Sequence, residues 1–487
     1  MKKLAKICAI ALALVMSTGI FAGCRPDPDN GGTGSGSLKI TFFNGGYGTA
    51  WAYAIAEKYT QATGVQIEID PSETITSDYA NFLENGTDSD IIMSHGIVWE
   101  LYALQGMIEP LNDLYAMECD GVTVEDRVIT EALQDCKLKF NNTYYKLPWT
   151  NGAGGLVYNQ VLFDKYGWEI PETYQDLVEL CQTIEEAKIV VDPNLPEHQQ
   201  RTIKPFAWSA EHYYWDYLVN DWWAQLQGID GINAIKQVKN KELFDPAGSY
   251  KFDDAVQLWV DLVAPHEVNG KMVDYSLEGS SGRQYQAAQI DFINGYAAMM
   301  PNAHWLESEM RDNIDSSKCV LRLMPSPVVP GAKTDANGNV IRVNYQVGGG
   351  DSIIIPAKAD NKAEAKKFLA FMLKEENAKL FTARSLGGML GVKYTNLDGI
   401  EDKYLTPFAR DIFEINKMST KFNLYSQSNL VLNKKITIEW AEDGINEYAT
   451  LYAGTNNVTD LFATKYASIN ENFATWKEDS DKVYGAE

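Results

Sequence analysis

The chain has 487 residues, 45% of them hydrophobic, and sets 66 acidic against 42 basic side chains for a formal charge of -24. The hydrophobic content is that of a globular protein, and the length suffices for two domains with sizeable cores. A body this acidic is repelled by nucleic acid and by anionic membrane surfaces, so neither is expected to bind its folded surface. The charge says nothing about small ligands.

The first 23 residues read as a targeting segment. Lys2, Lys3 and Lys6 precede an apolar run from Ile7 to Val15 that is too short to span a bilayer. Ala22 and Gly23 stand directly before Cys24, and the tetrapeptide from Phe21 resembles the lipobox of bacterial lipoproteins, although Phe21 departs from the usual leucine. That resemblance implies diacylglycerol on Cys24, a firm anchor because more than one acyl chain holds it. A plain secretory signal with a chance cysteine is the alternative. Residues 24–37 follow as a flexible Pro/Gly/Ser tether, so the folded part is expected to begin near Leu38.

Leu38 to Phe43 reads as a strand, Trp51 to Tyr59 as a helix with Ile55 on the face of Trp51, Val65 to Ile69 as a second strand and Asp90 to Met93 as a third. This βαβαβ order predicts a parallel, doubly wound α/β sheet with its ligand site beyond the carboxyl ends of the strands. Those ends carry Tyr47, Glu73 and His95. The turn Gly46-Tyr47-Gly48 lacks the third glycine of a dinucleotide loop and is followed by bulky Trp51, so no nucleotide cofactor is expected.

Of the six cysteines, Cys8 is expected to leave with the leader, and the lipobox resemblance implies that Cys24 is acylated. The remaining Cys119, Cys136, Cys181 and Cys319 have neither C-x-x-C spacing nor histidines at ligand distance, which argues against zinc. For Cys119 and Cys136 two readings stay open, a disulfide or a pair of buried thiols.

The stretch Tyr144 to Asn159, YYKLPWTNGAGGLVYN, looks like a passage between two compact bodies. A strand-like start is stopped by Pro148, passes Trp149 and Asn151, runs through Gly152-Ala153-Gly154-Gly155 and re-enters an apolar strand. Trp149, a large aromatic beside a polar turn, suits a ligand cleft. The run DIIMSHGIVWELYALQGMIEPLNDLY, this crossing, the helix YNQVLFDKYG and the start PETY stand in an order that resembles the carbohydrate-type extracellular solute-binding proteins of ABC transporters, the broad family that includes maltose-binding protein. The resemblance covers Leu38 to about Val392. It implies a type II periplasmic-binding-protein-like fold, two α/β lobes joined by three hinge crossings with the ligand closed between them.

Thr173 is placed to cap a helix whose apolar stripe is Leu177, Leu180, Cys181 and Ile184. In the aromatic segment Phe206 to Trp223, Trp215, Leu218, Trp222 and Leu226 sit at helical spacing and read as core, while Trp208 lies outside that period and is a candidate ligand contact, ahead of Tyr213 and Tyr214. Trp259 reads as core. The segment FINGYAAMMPNAHW resembles the family pattern whose tryptophan stacks on sugar. That residue is Trp305 here, with Asn302 beside it, and a tryptophan sealing the next helix is the plain alternative. Gly348-Gly349-Gly350-Asp351 reads as the second crossing, and Gly387 to Gly391 as the third. Asn361 with Glu364 reads as a capping box. The expected lobes are residues 38–148 with 352–390, and 149–351 with 391–487.

The expected function is therefore a lipid-anchored receptor on the outer face of a bacterial cytoplasmic membrane. It is expected to act as a monomer without cofactor, to capture a sugar or oligosaccharide and to hand it to a membrane permease. The expected ligand contacts are Tyr47, Glu73, His95, Trp149, Asn151, Trp208, Asn302, Trp305, Gly349 and Asp351. A secreted glycoside hydrolase or lyase is the second reading, since such enzymes also use aromatic clefts and need two carboxylates, for which Glu73 and Asp351 stand nearest. No G-x-S-x-G, H-E-x-x-H or nucleophilic cysteine constellation accompanies them.

Overall fold

The computed structural model describes residues 37–138, 141–209, 212–238, 241, 245, 247–248, 252–346, 351–424, 432, 435 and 445–484. The leader, Cys24, the tether as far as Gly36 and Gly349 lie outside them, while Ser37, read as the end of the tether, opens the first strand.

In chain order the strands that matter are β1 (Ser37–Phe43), β2 (Gln66–Ser72), β3 (Ile91–Ser94), β4 (Leu147–Pro148), β5 (Gly154–Asn159), β6 (Lys204–Phe206), β7 (Ala297–Ala303), β8 (Leu321–Met324), β9 (Val343–Tyr345), β10 (Ser352–Ile354) and β11 (Thr420–Phe422). They build a first sheet in the order β2-β1-β3-β10-β4, a second in the order β6-β7-β5-β8, and a small pair, β9 with β11. In the first sheet β1 pairs parallel with β2 and β3, whereas β10 returns antiparallel to β3 and β4. Interior position explains the composition of β1, where Leu38, Ile40, Thr41 and Phe42 are all buried. Helix α1 (Ala50–Thr63) covers this sheet with Trp51, Ile55 and Tyr59, one face at helical spacing, and ends where Gly64 adopts a left-handed turn.

Each sheet has its own core. Leu38, Phe42, Trp51, Trp149, Ile353 and Phe368 belong to that of the first. In the second, β5 shows the two-residue period of a strand buried on both faces: Leu156 and Tyr158 join a core with Trp215, Trp222 and Trp259, while Val157 joins one with Phe292 and Leu323. The helix α2 (Tyr174–Ala187) begins with a capping box between Thr173 and Asp176 and buries Leu177, Leu180, Cys181 and Ile184. Helix α3 (His212–Gln237), kinked at Gly228, supplies Trp215 and Trp222, and α4 (Phe252–Val263) supplies Trp259.

The chain passes from β4 to β5, from the second sheet back to β10, and again after Leu390, which bridges Thr150, before α5 (Pro407–Met418) packs on β8. Pro301 to Ala303 continue β7 because they pair with Leu156, Gly155 and Gly154. One local expectation changes. Asn361 makes no side-chain cap; its amide donates to Ser37 O and Asp90, and Glu364 accepts from Tyr59 instead. Cys119, Cys136, Cys181 and Cys319 are free and buried, so Cys119 and Cys136 stand as thiols.

Trp259 is fully buried, edge-on to Phe206 at 5.4 Å and to Trp208 at 5.9 Å. Trp259→Ala is expected to lower stability by about 3–5 kcal/mol through the cavity it leaves, read as a shift of the urea midpoint at unchanged slope.

Candidate ligand-binding site

The two sheets meet at residues 149–154, and buried backbone here has few strand partners. Trp149 N donates to Asp351 O at 3.2 Å, Gly391 N to Trp149 O at 3.0 Å, and Asn151 N to Met389 O at 2.8 Å, so all three crossings are tied side by side. Carbonyls further along are taken up by side chains remote in sequence: Asn151 O by Asn416 Nδ2 at 2.9 Å, Gly152 O by Lys421 Nζ at 2.7 Å, and Gly154 O by Asn344 Nδ2 at 2.8 Å. Lys421 also donates to Asn344 Oδ1 at 2.7 Å, and Asn344 donates to Asp221 at 3.1 Å. Asp221 accepts further from Ser326 Oγ and from Tyr345 N. Burial pushes the Asp221 carboxyl up and the Lys421 ammonium down, while their mutual attraction opposes both shifts.

Glycine at 152 is dictated by space. A methyl group there would stand 1.8 Å from His304 Cε1 and 2.0 Å from Nδ1. His304 is fully buried, its imidazole pushed down to about 3 first by burial and then by Lys421, so the ring is neutral. It stacks on Tyr47 at 5.4 Å, and its Nε2 lies 2.8 Å from the Tyr47 hydroxyl. Thr150 Oγ1 donates to Asp351 Oδ2 at 3.0 Å, and the Tyr47 hydroxyl lies 3.3 Å from Thr150 Oγ1 and 3.5 Å from Asp351. Burial raises the Asp351 carboxyl to about 6 against the pull of these hydrogen bonds. A polar row thus runs from the second lobe, through Tyr47, to the second crossing.

Beside it lies a cluster of rings separate from the large cores: Tyr214, Tyr217 and Ala303 with the half-buried Tyr285, Trp305 and Tyr345. Trp305 stands edge-on to Tyr217 at 6.0 Å and to Tyr214 at 6.4 Å; Tyr217 stacks on Tyr345 at 6.2 Å, and Tyr214 on Tyr285 at 5.6 Å. Trp305 also touches the first lobe, for a Cβ on Gly46 would lie 2.6 Å from its own. Flat apolar faces next to hydroxyls and a neutral imidazole can stack a ring and hydrogen-bond its rim.

The expected contacts divide accordingly. Tyr47, Asp351 and Trp305 are brought together here, and Asn151 sits on the crossing with its buried Oδ1 lacking a hydrogen-bond partner among the described residues. Trp149 is only 1% exposed and packs on Tyr47 at 5.4 Å and Trp51 at 6.0 Å as part of the first core, so its ring faces cannot serve as an open platform. Trp208, also 1% exposed, packs on Trp259 and Tyr452 and donates to Ser276 Oγ at 2.8 Å; the second core claims it. Asn302 is fully buried and spends its Oδ1 on Ala303 N. His95 is exposed at the rim, edge-on to Phe43 at 4.5 Å, and Glu73 is exposed beyond β2. Sequence reasoning passed over Tyr217, Tyr345, Tyr285 and His304. For Tyr217 a signal existed: Tyr214 and Tyr217 form an i, i+3 pair offset from the Trp215, Leu218, Trp222 stripe, marking a second occupied face of α3.

The family model for bacterial extracellular solute-binding proteins matches residues 45–379, and the chain belongs to that family. It is 24% identical over 360 residues, 73% of this chain and 70% of the relative, to a protein of Streptomyces coelicolor named diacetylchitobiose binding protein NgcE. Over 270 residues, 54% of this chain and 51% of the relative, it is 27% identical to a multiple sugar-binding protein of Streptococcus mutans. Among solved structures, the bacterial solute receptor AcbH superposes with a TM-score of 0.63 at 17% identity, over 90% of this chain and all of that one. A chitin oligosaccharide binding protein gives 0.62 at 17%, over 88% and 98%. These likenesses establish the two-lobe α/β fold. Family membership makes the chain a binding protein and not an enzyme.

Asp351 provides a pH test. Its pKa is higher folded than its ordinary 3.8, so its contribution to stability is present in full below about 4 and is lost as pH rises toward about 6. Asp351→Asn is expected to flatten the decline in urea-derived stability across that window. The buried carboxyls of Glu100 and Glu307, shifted the same way, leave a residual slope.

Proposed function

We propose that this protein is the lipid-anchored substrate-capture component of an ABC importer on the outer face of a bacterial cytoplasmic membrane. A neutral sugar or oligosaccharide is held between the lobes and delivered to the membrane permease. The observation that carries the ligand class is the ring cluster around Trp305, set against the polar row Tyr47, His304 and Asp351 at the meeting of two sheets. Relatives named as sugar-binding proteins support the same class. Lobe 1 comprises residues 38–148 and 352–390, and lobe 2 residues 149–351 and 391–487. Tyr47, Asn151, Trp305 and Asp351 act with Tyr217 and Tyr345 as the ligand-facing set, the buried His304 orients the Tyr47 hydroxyl from behind, and His95 belongs to the rim. Closure works because a ligand touching both lobes stabilises the closed form by its differential affinity.

Anchorage through Cys24 is part of this reading. Among the described residues no helix is long and apolar enough to cross a membrane. Cys24→Ser is expected to yield a folded protein that no longer incorporates a fatty-acid analogue during metabolic labelling; labelling equal to wild type would remove the lipid anchor from the proposal.

The ligand claim is tested by a thermal-shift screen against a glycan panel, followed by calorimetry. Stacking on one tryptophan face buries on the order of 80–100 Å² of apolar area, about 2 kcal/mol. Trp305→Ala is expected to weaken the screened sugar about thirtyfold. Trp208→Ala should lower stability and leave the affinity of the folded fraction unchanged. A folded Trp305→Ala protein that binds as tightly as wild type would mean that the site lies elsewhere.

A further inference from the structure

Beyond the family-matched residues 45–379, the segment from Asn416 to Asn423 does something the crossings alone do not. It is fastened to the second lobe: β11 pairs with β9, Phe422 joins the core of Trp215, and Asn416 and Lys421 hold the carbonyls of Asn151 and Gly152. Its far end reaches the other lobe. Asn423, 6% exposed, donates from Nδ2 to Asp135, which sits in the 3-10 turn Gln134–Cys136, and the neighbouring Cys136 and Leu147 belong to the core of the first sheet. One turn earlier the short helix Thr130–Leu133 carries Glu131, whose charge bears on Lys421. Lobe 1 therefore offers an acidic edge, Glu131 with Asp135, to an amide and an ammonium on lobe 2.

Both lobe 2 groups are buried, and each would lose a partner if the lobes parted. Asn423 already leaves its Oδ1 without a partner among the described residues, so separating Nδ2 from Asp135 would strand a second polar atom of the same side chain until water reached it. Lys421 keeps Gly152 O and Asn344 in either case, but separation would weaken the attraction it feels from the Glu131 carboxylate. The contact thus favours the lobe arrangement of this structure over parted lobes, by an interaction that needs no solute.

We propose that Glu131 and Asp135 on the first lobe and Lys421 and Asn423 on the second form a latch that biases the empty receptor toward closure. The latch rests on the two-lobe fold and is independent of which solute binds. One hydrogen bond plus a screened charge pair corresponds to a shift of about fivefold in the open-to-closed ratio.

The test is small-angle X-ray scattering on the ligand-free protein at low and high salt, with urea melts run on every variant. Asn423→Asp, which sets a second carboxylate against Asp135, and Asp135→Ala, which acts from the other lobe, should each raise the radius of gyration. The double variant should open no further than Asp135→Ala, and high salt should enlarge wild type more than Glu131→Gln. Equal radii for wild type and both single variants would overturn the latch. So would opening by one variant only, or a lower urea midpoint at unchanged radius, which would mark the contact as merely structural. Because no sugar is present, these outcomes are separate from any failure of the ligand assignment.

Discussion

Three buried backbone carbonyls, those of Asn151, Gly152 and Gly154, constrain the middle of this molecule. They lie where one sheet has ended and the other has barely begun. An unsatisfied buried carbonyl costs about 1–3 kcal/mol. Asn416, Lys421 and Asn344 supply the missing donors, all from parts of the chain that follow the second sheet. A lysine recruited for this purpose brings a charge into the interior, and that charge in turn requires Asp221, reached through Asn344. One problem in backbone accounting thus ties α3, β9, α5 and β11 to the first crossing.

The glycine run owes its composition to the same crowding. Gly152 is small because His304 occupies the space its side chain would fill, and Gly155, at a φ of 142°, holds a conformation that other residues avoid. From Asn151 onward the run is held by side chains at several carbonyls, which makes it a fixed part of the second lobe. On the other side the crossings are held by paired backbone, where Trp149 bonds to Asp351 and Gly391. The flexibility suggested by glycine content is therefore replaced by close approach.

Much of the frame was legible because it rests on local periodicity. The strand Leu38 to Phe43, the stripe of Ile55 and Tyr59 beneath Trp51, the Thr173 cap and the spacing of Trp215 with Trp222 are all short-range patterns, and the structure uses them as such. The site was legible only in part because its membership depends on contacts across long separations. Trp208 sits outside any helical period, yet its neighbours Trp259 and Tyr452 come from distant segments that no local pattern connects to it. Trp149 was read as a cleft residue from its polar neighbours, but Phe42, Tyr47 and Trp51 surround it. His304 carried no motif at all; its meaning comes from lying opposite Tyr47 and Gly152. The resemblance to solute-binding proteins pointed to Trp305, which follows β7 and stands in the ring cluster; its contact with ligand belongs to the proposed function.

The charges around the cleft bear on what it can hold. Lys421 is turned toward Gly152 O and Asn344, with Asp221 beyond. His304 is kept neutral by burial, and Asp351 is shifted toward its protonated form while Thr150 donates to it. An ionic solute entering between the lobes would lose its hydration and find these partners already committed, so its desolvation would go largely uncompensated. A solute with hydroxyls and apolar C–H faces loses less on leaving water, and the hydroxyl of Tyr47 and the faces of Trp305, Tyr217 and Tyr345 suit both of its surfaces. On the proposed reading, electrostatic economy in the interior, more than the acidic exterior, suits this cleft to a neutral ligand.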